Sequence, residues 1–126
     1  MAKIMIIEDN PVHKLLLCHS MEDLKHETMP FFDIDSAKEE LKKEKPDLFI
    51  VDIQIQESKK SSLAFIRDLL KSRYYKKIPI IIISAYVTKE DIKDELPGFD
   101  LKNVIEKPFN VDTITSKVKE LLKGKK

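Results

Sequence analysis

Apolar residues follow two rhythms that take turns along the chain. Short continuous runs rich in β-branched residues occupy Ile4–Ile7, Leu48–Ile53 and Ile78–Ile83, with weaker ones over Met29–Ile34 and around Val104 and Ile105. Their length and composition predict strands, and the run at Ile78–Ile83 has the character of a strand buried on both faces. Between the runs, apolar positions recur at helical spacing. Val12, Leu15, Leu16 and Leu24, widened by Leu17, mark a first helical stripe, opened by Asn10 as N-cap and Pro11 in the first turn. Ser36 and Glu39 have capping-box spacing and open a short helix that runs through Lys45 to Pro46. Gln54–Ser61 reads as a polar loop, and Leu63, Phe65, Ile66, Leu69 and Leu70 build the next helix. A charged helix over Thr88–Leu96 is stopped by Pro97 and Gly98, and Asn110 caps a last one carried by Val111, Ile114, Val118, Leu121 and Leu122.

Strands separated by helices pair in parallel through right-handed crossovers. The expected class is therefore α/β, a three-layer doubly wound five-stranded parallel sheet, in which ligands bind beyond the carboxyl ends of the strands. Residues 1–126 are expected to form one domain, with 124–126 a frayed tail.

Composition narrows the function. Hydrophobic residues make up 42% and charged residues 36% of the 126 positions, and 23 basic against 22 acidic side chains leave a formal charge of +1. That balance argues against a cationic nucleic-acid binder. A lone cysteine, Cys18, has no disulfide partner within the chain and reads as a small core residue. No secretory signal and no apolar run long enough for a bilayer are visible, so the expected setting is cytoplasmic, without membrane contact.

Polar residues collect where strands end. Glu8 and Asp9 follow the first strand, Asp52 closes the third, Ser84 follows the fourth and Lys107 the fifth. The sheet geometry brings all five to one edge. Carboxylates ~5 Å apart repel by about 3 kcal/mol per pair at an effective dielectric of ~20, so a cation must compensate. Lys107 supplies one charge, and hard oxygen donors without a Cys/His cluster favour Mg²⁺ over Zn²⁺. Such a site suits a phosphoryl group met by metal, ammonium and hydroxyl. Asp52, on the central strand, is the better candidate for a carboxylate nucleophile.

Four strings, Ile7-Glu8-Asp9-Asn10-Pro11, Val51-Asp52-Ile53, Ile83-Ser84-Ala85 and Glu106-Lys107-Pro108-Phe109, each at the end of a predicted strand, together resemble response-regulator receiver domains of two-component signalling. The resemblance is to the single-domain, chemotaxis-regulator-like kind and spans nearly the whole chain. It implies a flavodoxin-like strand order 2-1-3-4-5 and a stand-alone phosphoacceptor in a phosphorelay. Asp52 would accept a phosphoryl group from a histidine kinase or histidine phosphotransfer protein. Asp9, Asp52 and the backbone carbonyl of Gln54 would bind Mg²⁺, and Glu8 would act through water. Lys107 would contact the phosphoryl oxygens, with a cis bond to Pro108. Ser84 would swing toward the phosphate and pass the change to a downstream protein effector. Such a protein modifies itself rather than turning over a free substrate, and it is a monomer or a weak phosphorylation-dependent dimer.

Some positions depart from the family pattern. Val104 stands where an aromatic switch residue is usual, and Gln56 and Ser61-Ser62 replace the usual proline and Asp-Gly turn after Asp52. Gln54 and Tyr86, each two residues beyond a site residue, would tune the access of water. The departures leave open an alternative, a pseudo-receiver interaction module not regulated by phosphorylation. A small aspartyl-phosphate hydrolase is disfavoured, because Gln54 stands where such enzymes carry a second acid. His13, His19 and His26 share no ligand geometry and read as structural or solvent-facing.

Overall fold

A computed structural model describes residues 2–53, 56–85 and 88–123, with residues 56–61 described by backbone alone. Among them, strands and helices alternate as β1 (Lys3–Ile7), α1 (Pro11–Asp23), β2 (Glu27–Phe31), α2 (Ile34–Leu41), β3 (Leu48–Ile53), α3 (Gln56–Lys71), β4 (Ile80–Ser84), α4 (Lys89–Glu95), β5 (Val104–Glu106) and α5 (Val111–Leu122). A short 3₁₀ turn, Leu101–Asn103, leads into β5. The strands form one five-stranded sheet ordered β2-β1-β3-β4-β5, and every neighbouring pair is parallel. The flavodoxin-like arrangement expected from the sequence is the one observed.

Alternation along the central strands divides the core in two. Ile4, Ile6, Leu48, Ile50, Ile81 and Ile83 pack under α1 and α5 with Leu17, Met21, Ile114 and Val118. Met5, Ile7, Phe49, Val51, Ile80 and Ile82 pack under α2, α3 and α4 with Ala37, Leu63, Phe65, Ile66 and Ile92. Both faces are covered, which is why β3 and β4 are buried along their whole length. Ile50, Ile81 and Ile83 have no exposed surface, and each such burial contributes about 1.5–3 kcal/mol.

Several expectations need correction. In α1 the inward face carries Leu17, Ser20 and Met21, while Val12 and Leu15 are 66% and Leu16 43% exposed. Both flanks of this helix are apolar, so periodicity alone could not say which one the sheet covers. β2 begins at Glu27, earlier than the apolar run, because Glu27 N–H donates to the Ala2 carbonyl at 2.8 Å and the strand pairs with β1 from Lys3 onward. The cap of α2 is Asp33, whose Oδ1 accepts from Ser36 N–H at 2.7 Å, rather than Ser36 itself. That helix ends at Leu41, short of Lys45. β4 starts at Ile80 rather than Ile78; the Pro79 carbonyl still accepts from Phe49 N–H. The segment read as a loop is helical from Gln56, where the seven residues up to Ser62 carry no apolar side chain and give no periodic signal. Asn10, Thr88 and Asn110 cap α1, α4 and α5. Gly98, at φ 90°, occupies backbone space that favours glycine in the turn after α4. The tail 124–126 lies outside the described residues.

Candidate functional site

The site grows from sheet alternation. β1 and β3 are in register at Ile6↔Ile50 and Ile7↔Val51. One residue further, Glu8 and Asp52 emerge side by side on the face that holds Ile6 and Ile50. Glu8 is anchored through its own N–H, which donates to the Phe31 carbonyl at 3.0 Å, and its Oε2 accepts from Asn10 N–H at 3.0 Å. Glu8 and Asp52 are both buried, whereas Asp9, on the opposite parity, is exposed.

Lys107 arrives from the far edge. Ser84 pairs with Glu106, and the next residue's N–H donates to the Ser84 carbonyl at 2.6 Å. The Lys107–Pro108 peptide is cis. The lysine side chain, 9% exposed, runs inward so that Nζ lies 2.6 Å from Asp52 Oδ2 and 3.6 Å from Glu8 Oε1. Ser84 closes β4 beside Ile53 and is buried. Glu8, Asp52, Ser84 and Lys107 thus meet at one sheet edge, and Asp9 faces the cavity next to it. Gln54 and Tyr86 lie outside the described residues. Val104 is buried in β5, opposite Ile82 and within the cluster that contains Ile92 and Leu96.

His13 also belongs to this site, which sequence reasoning missed. Its Nδ1 lies 3.1 Å from Lys107 Nζ and 3.7 Å from Glu8 Oε1. The signal that would have found it is the true inward face of α1. From Leu17, Ser20 and Met21 that stripe extends back four residues to position 13, at the sheet's carboxyl edge.

Burial pushes the Asp52 carboxyl up to about 8, the neighbouring Glu8 adds to the rise, and Lys107 opposes it. Asp9 is also raised, foremost by desolvation and then by Glu8. Glu8, Asp9 and Asp52 against Lys107 leave a formal local charge of minus two when all are ionised, the deficit a divalent cation cancels. The donor chemistry fits such an ion. Asp52 Oδ1 accepts no hydrogen bond from a described donor, and Asp9 and Asp52 line a cavity of about 500 Å³ with Asp33, Asp35 and Ser62. Glu8, His13 and Asp52 also offer donor atoms within 4.8 Å of one another, but Lys107 Nζ already sits among those three. Of the three acids, Asp9 and Asp52 are the ones that line the cavity.

Among the described residues, no helix is long and apolar enough to cross a membrane. Comparison with known proteins gives concordant matches. The chain is 25% identical over 122 residues to the phosphate regulon transcriptional regulatory protein PhoB of Escherichia coli, covering 96% of this chain and 52% of that protein. It is 27% identical to the polar-differentiation response regulator DivK of Brucella anthropi, covering 94% of both. The chain spans about half the length of the first of these relatives. A signal receiver domain of a histidine kinase from Syntrophus aciditrophicus superposes with a TM-score of 0.84 at 29% identity, covering 100% of this chain and 93% of that one. The chemotaxis response regulator CheY4 of Vibrio cholerae shares the fold, with a TM-score of 0.81 at 22% identity over 97% and 99% of the two chains. The model of the response regulator receiver domain matches residues 4–119. With that match spanning all five strands, the chain belongs to the response regulator receiver domain family.

Proposed function

We propose that this receiver is a phosphoacceptor in a two-component phosphorelay and that Asp52 carries the phosphoryl group. The observation that supports this most is a buried aspartate at the carboxyl end of the central strand, 2.6 Å from a lysine ammonium and adjacent to a second buried acid. A carboxylate oxygen of Asp52 attacks the phosphorus of a phosphohistidine on a histidine kinase or phosphotransfer protein. The P–N bond breaks, the leaving imidazole takes up a proton, and an acyl phosphate forms. Water later attacks the phosphorus, releasing inorganic phosphate and returning the Asp52 carboxylate.

Asp9, Asp52 and the Gln54 carbonyl would hold Mg²⁺ directly, with Glu8 acting through water. When bound, the ion supplies two positive charges against the phosphoryl oxygens. Lys107 gives up its pairing with Asp52 to one phosphoryl oxygen, and the Ser84 hydroxyl turns to another. Lys107 and Ser84 are joined through their backbones at 2.6 Å, which supports coupling of that turn to β5 and the face it shares with α4 and α5. Output then passes to a downstream protein effector. The exposed Val12, Leu15 and Leu16 beside the site supply apolar surface of the kind partners cover.

Val104 favours a second reading. It is 2% exposed and carries no ring that could turn between core and surface, as a module not regulated by phosphorylation would have. Incubation with acetyl phosphate and Mg²⁺ separates the two. The phosphoacceptor gains one phosphoryl group of ~80 Da by intact mass, and Asp52→Asn abolishes the gain. A wild-type chain that stays unmodified, with no saturable amide shifts near Asp9 and Asp52 on Mg²⁺ titration, supports the pseudo-receiver instead.

A further inference from the structure

His13 has no task in the phosphoryl-transfer scheme, yet its ring reaches the middle of the site. Its backbone and its ring are both held. Asn10 Oδ1 accepts from His13 N–H at 3.1 Å, and the imidazole packs edge-on to Phe109, centroids 5.5 Å apart at 74°. Nδ1 faces Lys107 Nζ at 3.1 Å. An ammonium has donors only, so Nδ1 is the acceptor and the ring proton sits on Nε2. Lys107 Nζ then has His13 Nδ1 as a hydrogen-bond partner at 3.1 Å and lies 2.6 Å from Asp52 Oδ2, while Glu8 Oε1 stands off at the ion-pair distance of 3.6 Å.

We propose that His13 is a positioning residue that aims the Lys107 ammonium at Asp52. This rests on the proposed role of Lys107 as a phosphoryl contact. An uncharged acceptor suits the task. A third carboxylate at this point would compete with Asp52 for the ammonium and add to the repulsion between Glu8 and Asp52. An aliphatic side chain would leave one N–H of a 9% exposed ammonium without an acceptor, and the lysine would turn to find another. Imidazole holds the direction of Nζ and leaves its charge for the phosphoryl oxygens.

The test uses His13→Ala and His13→Asn, the latter because asparagine Oδ1 sits the same number of bonds from the backbone as Nδ1. Nitrogen-15 spectra of the lysine ammonium groups and of the imidazole are recorded together with the rate of phosphorylation by acetyl phosphate at saturating Mg²⁺. The wild type is expected to show a Lys107 ammonium signal protected from solvent exchange and a His13 ring protonated at Nε2. In His13→Ala that signal broadens away and the rate falls roughly tenfold, while His13→Asn recovers most of both. An Nδ1–H tautomer, an unchanged rate in His13→Ala, or an asparagine variant no better than alanine overturns the proposal. A wild type that is phosphorylated while His13→Ala is unaffected sinks this inference alone. A wild type that takes no phosphoryl group sinks the reading of the site and the positioning role with it.

Discussion

Asp52 is an acid placed where burial works against its charge. Its carboxyl titrates at about 8 in the folded chain, above its ordinary 3.8, so the folded state holds that proton more tightly than the unfolded chain does. The sign follows from linkage: the contribution to stability is full below about pH 4 and is lost as pH rises toward about 8. With divalent ions chelated, Asp52→Asn is expected to be more stable than the wild type by about 1–3 kcal/mol near pH ~9, and the gap should close on acidification toward pH ~4. Urea melts of the two proteins across that range measure it; a gap that widens on acidification contradicts the burial described. At this scale the sequence was only partly informative. Glu8, Asp9, Asp52, Ser84 and Lys107 were all legible as strand-end polar residues. That Glu8 rather than Asp9 would be buried against Asp52 follows only from continuing the alternation of Ile4 and Ile6 past the strand. His13 was hidden because both flanks of its helix are apolar and periodicity does not single out the inward one.

At the scale of elements, caps and strand ends decide where chemistry sits. Asn10 Oδ1 accepts from the N–H groups of Val12 and His13, so it sets both the start of α1 and the position of the histidine. Asn10→Ala is expected to cost about 1 kcal/mol, lowering Tm by about 3–6 °C for a chain of this size. For α2, Asp33→Ala should lower Tm more than Ser36→Ala, because Asp33 supplies the capping oxygen; thermal melts of the three variants check both expectations. β3 was readable residue by residue and β4 to within two residues, since burial on both faces keeps each run apolar up to its polar end at Asp52 or Ser84. β2 was not, because its Glu27 and Thr28 join the sheet through backbone pairing with Lys3 and Ile4 rather than through apolar side chains. The start of α3 was unreadable for a related reason: backbone makes that turn helical, and Gln56–Ser61 contains nothing hydrophobic to announce it.

For the whole molecule, topology does the gathering. Acids from the ends of β1 and β3, a serine from β4 and a lysine from beyond β5 are far apart in sequence, and parallel pairing delivers all of them to one edge. This was the most legible level, because alternation of strand and helix leaves few topologies open. Two buried acids with one ammonium between them keep that edge short of positive charge, which suits a divalent ion and a phosphoryl group together. The most direct test of this arrangement is to phosphorylate the protein with acetyl phosphate and Mg²⁺, reduce it with borohydride, which turns an aspartyl phosphate into homoserine, and map the product by peptide mass spectrometry. Homoserine at position 52 and nowhere else is the expected result. Homoserine at position 9, a phosphohistidine in place of homoserine, or no modified residue would contradict it.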